Sequence, residues 1–185
     1  SWTITVDSIS GKGDLTLDFA SGQDITDAAG NALTATGTDA THAADTVAPT
    51  VNVAPGGSFD PTDTGISYNV TFDEVVESFG KDDVNLIETG GASGDLGTIS
   101  GSDDSYPVDV VNLSGDGTVA IDVVTSGTVT DPAGNALASG ETGAAHTVNL
   151  APPEVTSIAL DGSYAETDSV VQYRVEFDEG VDHVD

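Results

Sequence analysis

Two five-residue segments carry oxygen-bearing side chains at a spacing suited to gripping a cation. They are Asp27-Ala28-Ala29-Gly30-Asn31 and Asp131-Pro132-Ala133-Gly134-Asn135, 104 residues apart. Asp and Asn bond their own backbone in tight turns and Gly tolerates positive φ, so Asp-x-Ala-Gly-Asn reads as a rigid loop with outward oxygens. Further acids stand at Asp45, at Asp73-Glu74 and at Asp178-Glu179. Ca²⁺ takes about six to eight oxygens from carboxylates, carbonyls and water, whereas Mg²⁺ demands a tight octahedron. Zn²⁺ wants Cys or clustered His, and the chain has no Cys and three scattered His. The alternative reading is that these residues only close turns on a solvated acidic surface.

Other chemistry finds little support in the residues. His42 and His146 occupy the same repeat position, which points to packing, and no acid or nucleophile pattern surrounds His183. Asp103-Asp104 and Lys81-Asp82-Asp83 read as loop charges. No phosphate-binding Gly loop, nucleophile elbow or zinc motif occurs, and the candidate carboxylate pairs are turn residues or repeat-matched ones, so the expectation is a non-enzyme. The chain carries 32 acidic residues against three basic ones, a formal charge of −29. Such a field repels phosphate backbones and anionic membrane surfaces, and no apolar run is long enough for a membrane helix. Neither nucleic-acid binding nor membrane insertion is expected.

The elements that must hold these acids are laid out by an internal repeat. Residues 1–51 match 105–155 without a gap, pairing Trp2 with Tyr106, Ile4 with Val108, Val6 with Val110, Leu17 with Ile121 and His42 with His146. Residues 56–76 match 161–181 at a shift of 105, pairing Tyr68 with Tyr173 and Asp73-Glu74 with Asp178-Glu179. A unit of about 104 residues divides the chain into the C-terminal half of one repeat (1–45), a complete repeat (46–149) and the N-terminal third of another (150–185). Period-two strands between Gly, Asp and Ser turns make the chain all-β. In the complete unit they fall at Thr50–Val53, Gly65–Phe72, Asp83–Ile87, Leu96–Ile99, Tyr106–Leu113, Thr118–Val124 and His146–Leu150, strands A to G of an immunoglobulin-like sandwich by number and length. Val70, Phe72, Val108, Val110, Val119, Ile121 and Val123 supply its core. Pro49 and the Pro152-Pro153 pair make the connections short and stiff.

Alternating strand direction puts the end of B, the loop after F and the incoming linker at one pole of the complete unit. Asp45, Asp73, Glu74, Asp131 and Asn135 therefore converge where two units meet. Asp27 and Asn31 in the first unit, and Asp178 and Glu179 in the last, are their repeat equivalents.

The aromatic-led strand with Ser114-Gly115-Asp116-Gly117, the Asp-x-Ala-Gly-Asn-Ala-Leu loop, the Asp45 to Pro49 linker and Phe72-Asp73-Glu74-Val75-Val76 together resemble the bacterial immunoglobulin-like repeats of very large secreted adhesins. The resemblance spans essentially all 185 residues. It implies tandem β-sandwiches on the bacterial cell surface, acting as spacers or filament material, with calcium stiffening the junctions and neighbouring repeats as partners. Asn149 in place of Asp45, and Pro152 in place of Ala48, set the second junction apart. Two alternatives accompany this expectation: a glycan- or ligand-binding module, which calls for an exposed aromatic cluster, and an acidic filament that assembles without metal. The first and last segments together hold most of one repeat, which leaves two expectations: the sequence is a stretch cut from a long repeat array, the favoured one, or chains complete each other head to tail by strand complementation.

Overall fold

The computed structural model describes residues 1–20, 22–34 and 40–182, which leaves His183 outside the described residues. In chain order the strands are β1 (Lys12–Thr16), β2 (Thr41–Asp45), β3 (Val51–Pro55), β4 (Gly65–Phe72), β5 (Val84–Gly90), β6 (Ser93–Ile99), β7 (Ser105–Ser114), β8 (Asp116–Val123), β9 (Glu141–Thr142), β10 (His146–Asn149), β11 (Val155–Leu160) and β12 (Tyr173–Phe177). Among the described residues the only helical element is one 3-10 turn at Lys81–Asp83, so the chain is all-β as the alternation predicts.

Residues 51–149 build two antiparallel sheets, β3-β4-β7-β6 and β10-β8-β5, with β9 pairing β8. In β4 the alternation sends Ile66, Tyr68, Val70 and Phe72 inward, leaving Ser67, Asn69 and Thr71 on the other face. Val119, Ile121 and Val123 of β8 and Val108 and Val110 of β7 meet them in one core. Each such side chain, fully buried, is worth roughly 1.5–3 kcal/mol of transfer free energy. Tyr68 stitches the sheets together, because its hydroxyl donates to the Ala144 carbonyl at 2.9 Å and the Val119 carbonyl at 3.3 Å. Burial pushes its phenol pKa up to about 12. At the same end His146 is buried edge-on to Phe59, with centroids 4.9 Å apart, which agrees with a packing role.

The seven strands of the complete unit lie within about three residues of their expected bounds. β9 was not expected; two residues are too few to show a period. The third strand starts at Val84, because Asp83 is drawn into the preceding turn. The flanking segments each form a two-stranded antiparallel hairpin, β1 with β2 and β11 with β12. Residues 1–10 form no ladder, although their repeat equivalents make β7.

Candidate metal centre

The two Asp-x-Ala-Gly-Asn loops fold alike. In the complete unit Asp131 Oδ1 accepts the amides of Ala133 (2.9 Å) and Asn135 (2.8 Å), and Oδ2 accepts the Asn135 side-chain amide at 2.7 Å. Gly134 takes φ of 93°, a backbone that an L side chain strains to adopt. Asp27 accepts the corresponding three bonds from Ala29 and Asn31, with Gly30 at φ of 88°. The Asn31 donors hold the Asp27 pKa below the usual carboxylate value. For Asp131, burial pushes upward, yet the donors of Asn135, Ala133 and Gly134 together bring its pKa below the ordinary value. The loop is thus complete through its own hydrogen bonds, and its geometry alone asks for no ion.

What separates the copies is their neighbourhood. Carboxylate oxygens of Asp45, Glu74 and Asp131 all lie within 4.8 Å of one another, the only such group among the described residues. Three short steps of the fold bring them there. Asp45 ends β2 and opens the linker, Glu74 follows β4 by two residues, and Asp131 opens the loop that the Glu77–Thr130 bridge ties to the chain after β4. Asn135 clamps the seam, because its amide donates to the Asp45 carbonyl at 3.2 Å as well as to Asp131. The Asp131 carboxylate is fully buried, and the Asp45 and Glu74 side chains keep only 18% and 15% of their exposure. A cleft of about 750 Å³ opens beside them, walled by Ala44, Val75, Pro132 and Ala133.

Three carboxylates this close repel by about 1 kcal/mol per pair in water and about 3.5 kcal/mol at an effective dielectric near 20. The chain supplies one compensating charge of its own. Lys12 Nζ, from the start of β1, bonds Asp45 Oδ2 at 2.8 Å and also Glu74 Oε2. Those two bonds, Asp45 first, raise the lysine pKa. Three negative charges against one positive leave the cluster at −2.

The donor set fits a hard divalent cation. It is all oxygen, and Asp131, with three of about four acceptor positions used, keeps one for an ion. The Lys12 ammonium stands between two of the three carboxylates as a cation would. Asp45, Glu74 and Asp131 would hold a calcium ion directly, with Asn135 orienting the Asp131 carboxylate and tethering the Asp45 backbone.

The remaining expected ligands are placed differently. Asp73 Oδ1 accepts the Thr50 amide at 2.7 Å, a bond that lowers its pKa and locks strand entry to strand exit. Asp178 repeats this with the Glu154 amide at 2.8 Å. Asp27 and Asn31 have no carboxylate cluster around them among the described residues. Glu179 accepts the Asn149 amide at 3.3 Å, so the second junction uses a neutral donor where the first has Lys12. There the Lys12 position is held by Asp116, whose Oδ1 accepts the linker amides of Leu150 and Ala151.

The expectation that Lys81-Asp82-Asp83 is a run of loop charges fails at Asp83. That side chain is buried, and accepts the Gly80 amide (2.9 Å), the Thr128 hydroxyl (2.6 Å) and the Ser126 hydroxyl. It anchors the turn before β5 to the chain after β8. Lys12 was also missed as a site residue. The signal lay in the repeat itself, which pairs Lys12 with Asp116 and Asp45 with Asn149, two charge changes at one seam.

Comparison with known proteins finds no match. No family model, curated protein or solved structure corresponds to this chain.

Proposed function

We propose that this chain is a stretch of tandem immunoglobulin-like modules serving as a non-catalytic spacer in a bacterial extracellular adhesin or surface filament. In this reading calcium stiffens the junction that enters the complete module. The observation that carries it is the meeting of Asp45, Glu74 and Asp131 where the linker joins the sandwich. A cation gripped there ties the end of one unit to two loops of the next, and removes hinge freedom from a linker only a few residues long. The strand order supports the modular part: β3-β4-β7-β6 facing β10-β8-β5 is the A-B-E-D and G-F-C arrangement of immunoglobulin constant-type sandwiches. Burial of Tyr68, Phe72 and Tyr106 in or against the core argues against an aromatic glycan platform on the complete module.

A second reading, a junction held without metal, draws on Lys12. Its ammonium already bridges preceding unit and module through Asp45 and Glu74. Calorimetric titration of calcium into the chain, with small-angle scattering on the same samples, separates the two. One saturable site, abolished by Glu74→Gln and accompanied by a narrower distribution of intramolecular distances, supports the calcium junction. Absence of binding heat in the unmodified chain leaves the Lys12 junction in its place.

A further inference from the structure

We infer that the chain bends at its first junction only through the backbone torsions of Val47 and Ala48, and that Pro152 removes this hinge from the second junction. Up to Val47 every linker residue is tied to the preceding unit. Asp45 ends β2. The Thr46 amide donates to the Gly11 carbonyl at 3.0 Å, while the Thr46 hydroxyl accepts the Gly11 amide at 2.8 Å. The Val47 amide donates to Asp45 Oδ1 at 3.1 Å. From Pro49 onward the chain belongs to the complete module. Pro49 is fully buried, and its carbonyl accepts the Ala138 amide at 3.1 Å. Thr50 then exchanges two bonds with Asp73: its amide donates to Oδ1 at 2.7 Å, and its carbonyl accepts the Asp73 amide at 3.2 Å. Between these anchors, among the described residues, neither the amide nor the carbonyl of Ala48 has a hydrogen-bond partner.

The second junction has matching anchors and lacks the untethered residue. Upstream, the Leu150 amide donates to the Gly115 carbonyl at 3.0 Å and the Ala151 amide to Asp116 Oδ1 at 2.8 Å. Downstream, Glu154 and Asp178 repeat the paired bonds of Thr50 and Asp73, at 2.8 and 3.1 Å. Pro152 takes the position of Ala48. A proline ring fixes φ at about −65° and confines the residue before it to extended backbone. Pro152 therefore fixes its own φ and confines Ala151, and Pro153 in turn confines Pro152. At the first junction Pro49 confines Ala48, but Ala48 keeps an adjustable φ, and Val47, with no proline after it, keeps its ψ. Only side chains reach across this hinge, Lys12 to Glu74 and Asn135 to the Asp45 carbonyl at 3.2 Å. They favour one setting of the torsions, where a ring fixes them outright. Asp45 lies upstream of the hinge, and Glu74 and Asp131 lie downstream, so an ion held by all three locks those same torsions; this part rests on the calcium reading above. The chain thus has one adjustable joint and one fixed by covalent chemistry, and only the adjustable one answers to cations.

Double electron–electron resonance between spin-labelled cysteines tests this in the full chain, which has no cysteine of its own. Thr16→Cys with Thr98→Cys spans the first junction, and Thr98→Cys with Ala159→Cys spans the second, all three positions being exposed strand residues. In chelator the distance distribution across the first junction is expected to be at least twice as wide as that across the second. Ala48→Pro should narrow the first to the width of the second, Ala48→Gly should widen it further, and Pro152→Ala should widen the second. Circular dichroism shows that the module of each variant is folded. Equal widths across the two junctions of the unmodified chain, or a first-junction width that neither Ala48→Pro nor Ala48→Gly changes, would overturn the inference. Calcium is then added to the same samples. Narrowing of the first junction alone supports the ion as its lock, and equal narrowing of both would overturn the claim that Pro152 fixes the second. No change in either removes the calcium reading and leaves the hinge, which is decided in chelator, as it stands.

Discussion

Replacing Asp131 with Ala should destabilise the complete module by about 2–4 kcal/mol, and the figure follows from its hydrogen bonds. The carboxylate accepts three, from two backbone amides and one side-chain amide, at 2.7–2.9 Å. A hydrogen bond to a charged group contributes about 1.5–3 kcal/mol, but the three share one acceptor and do not add. Water can also reach Ala133 once the carboxylate is gone, since that residue is exposed, and this lowers the loss. For a unit of about 100 residues, 2–4 kcal/mol corresponds to a fall in Tm of about 10–25 °C. Urea and thermal unfolding followed by circular dichroism and tyrosine fluorescence would measure it, because the single Trp lies outside the module and is exposed. Chelator keeps cation binding out of the comparison. Asp131→Asn should lose less, since it keeps an acceptor for the backbone amides while turning its own amide toward that of Asn135. Asp27→Ala, in the matching loop of the first segment, should leave the module's transition where it was. A loss below about 0.5 kcal/mol for Asp131→Ala would refute the claim that the buried carboxylate holds the loop together.

Two further outcomes follow. Asp131 and Asp73 both have folded pKa values below those of the unfolded chain, so their contribution is complete above about pH 4 and is lost as pH falls through the lower folded values. The urea midpoint of the module should therefore drop steeply only below about pH 4, and Asp131→Asn should flatten that drop. Lys12→Gln removes the one positive charge between Asp45 and Glu74. It should tighten calcium binding roughly tenfold in titration while making the calcium-free junction more mobile by scattering.

Much of the fold can be read in the sequence because it is written twice. Alternation in Gly65–Phe72 and Thr118–Val123 marks strands with one buried face, and the Ser114–Gly117 turn and the Asp131–Asn135 loop each have a matching copy at Ser10–Gly13 and Asp27–Asn31. Side chains whose partners are distant cannot be read so. Asp83 sits in a Lys-Asp-Asp run that looks solvated, and only folding brings Ser126 and Thr128, more than 40 residues away, onto its oxygens. Strand direction is enough to bring Asp45, Glu74 and Asp131 to one pole, but not to aim a side chain. Asp73 and Glu74 are neighbours in the bend after β4, yet one side chain goes to the Thr50 amide and the other to the seam.

The two junctions meet the same need by different means, and this bears on where a cation would bind more tightly. The glutamate after the B strand receives a donor from the preceding unit in both: the Lys12 ammonium for Glu74, the Asn149 amide for Glu179. An ion entering the first junction displaces an ammonium whose side chain is already 57% exposed, and a strongly hydrated charge returns readily to water. It gains three carboxylates whose mutual repulsion it relieves. At the second junction the same ion would break an amide hydrogen bond, and would find Asp116 already committed to the Leu150 and Ala151 amides. Lys12, which would weaken calcium binding at the first seam, is thus also one of the residues that hold the seam without calcium. On the proposed reading Lys12 is the internal competitor, and the first junction exchanges one cation for another instead of opening.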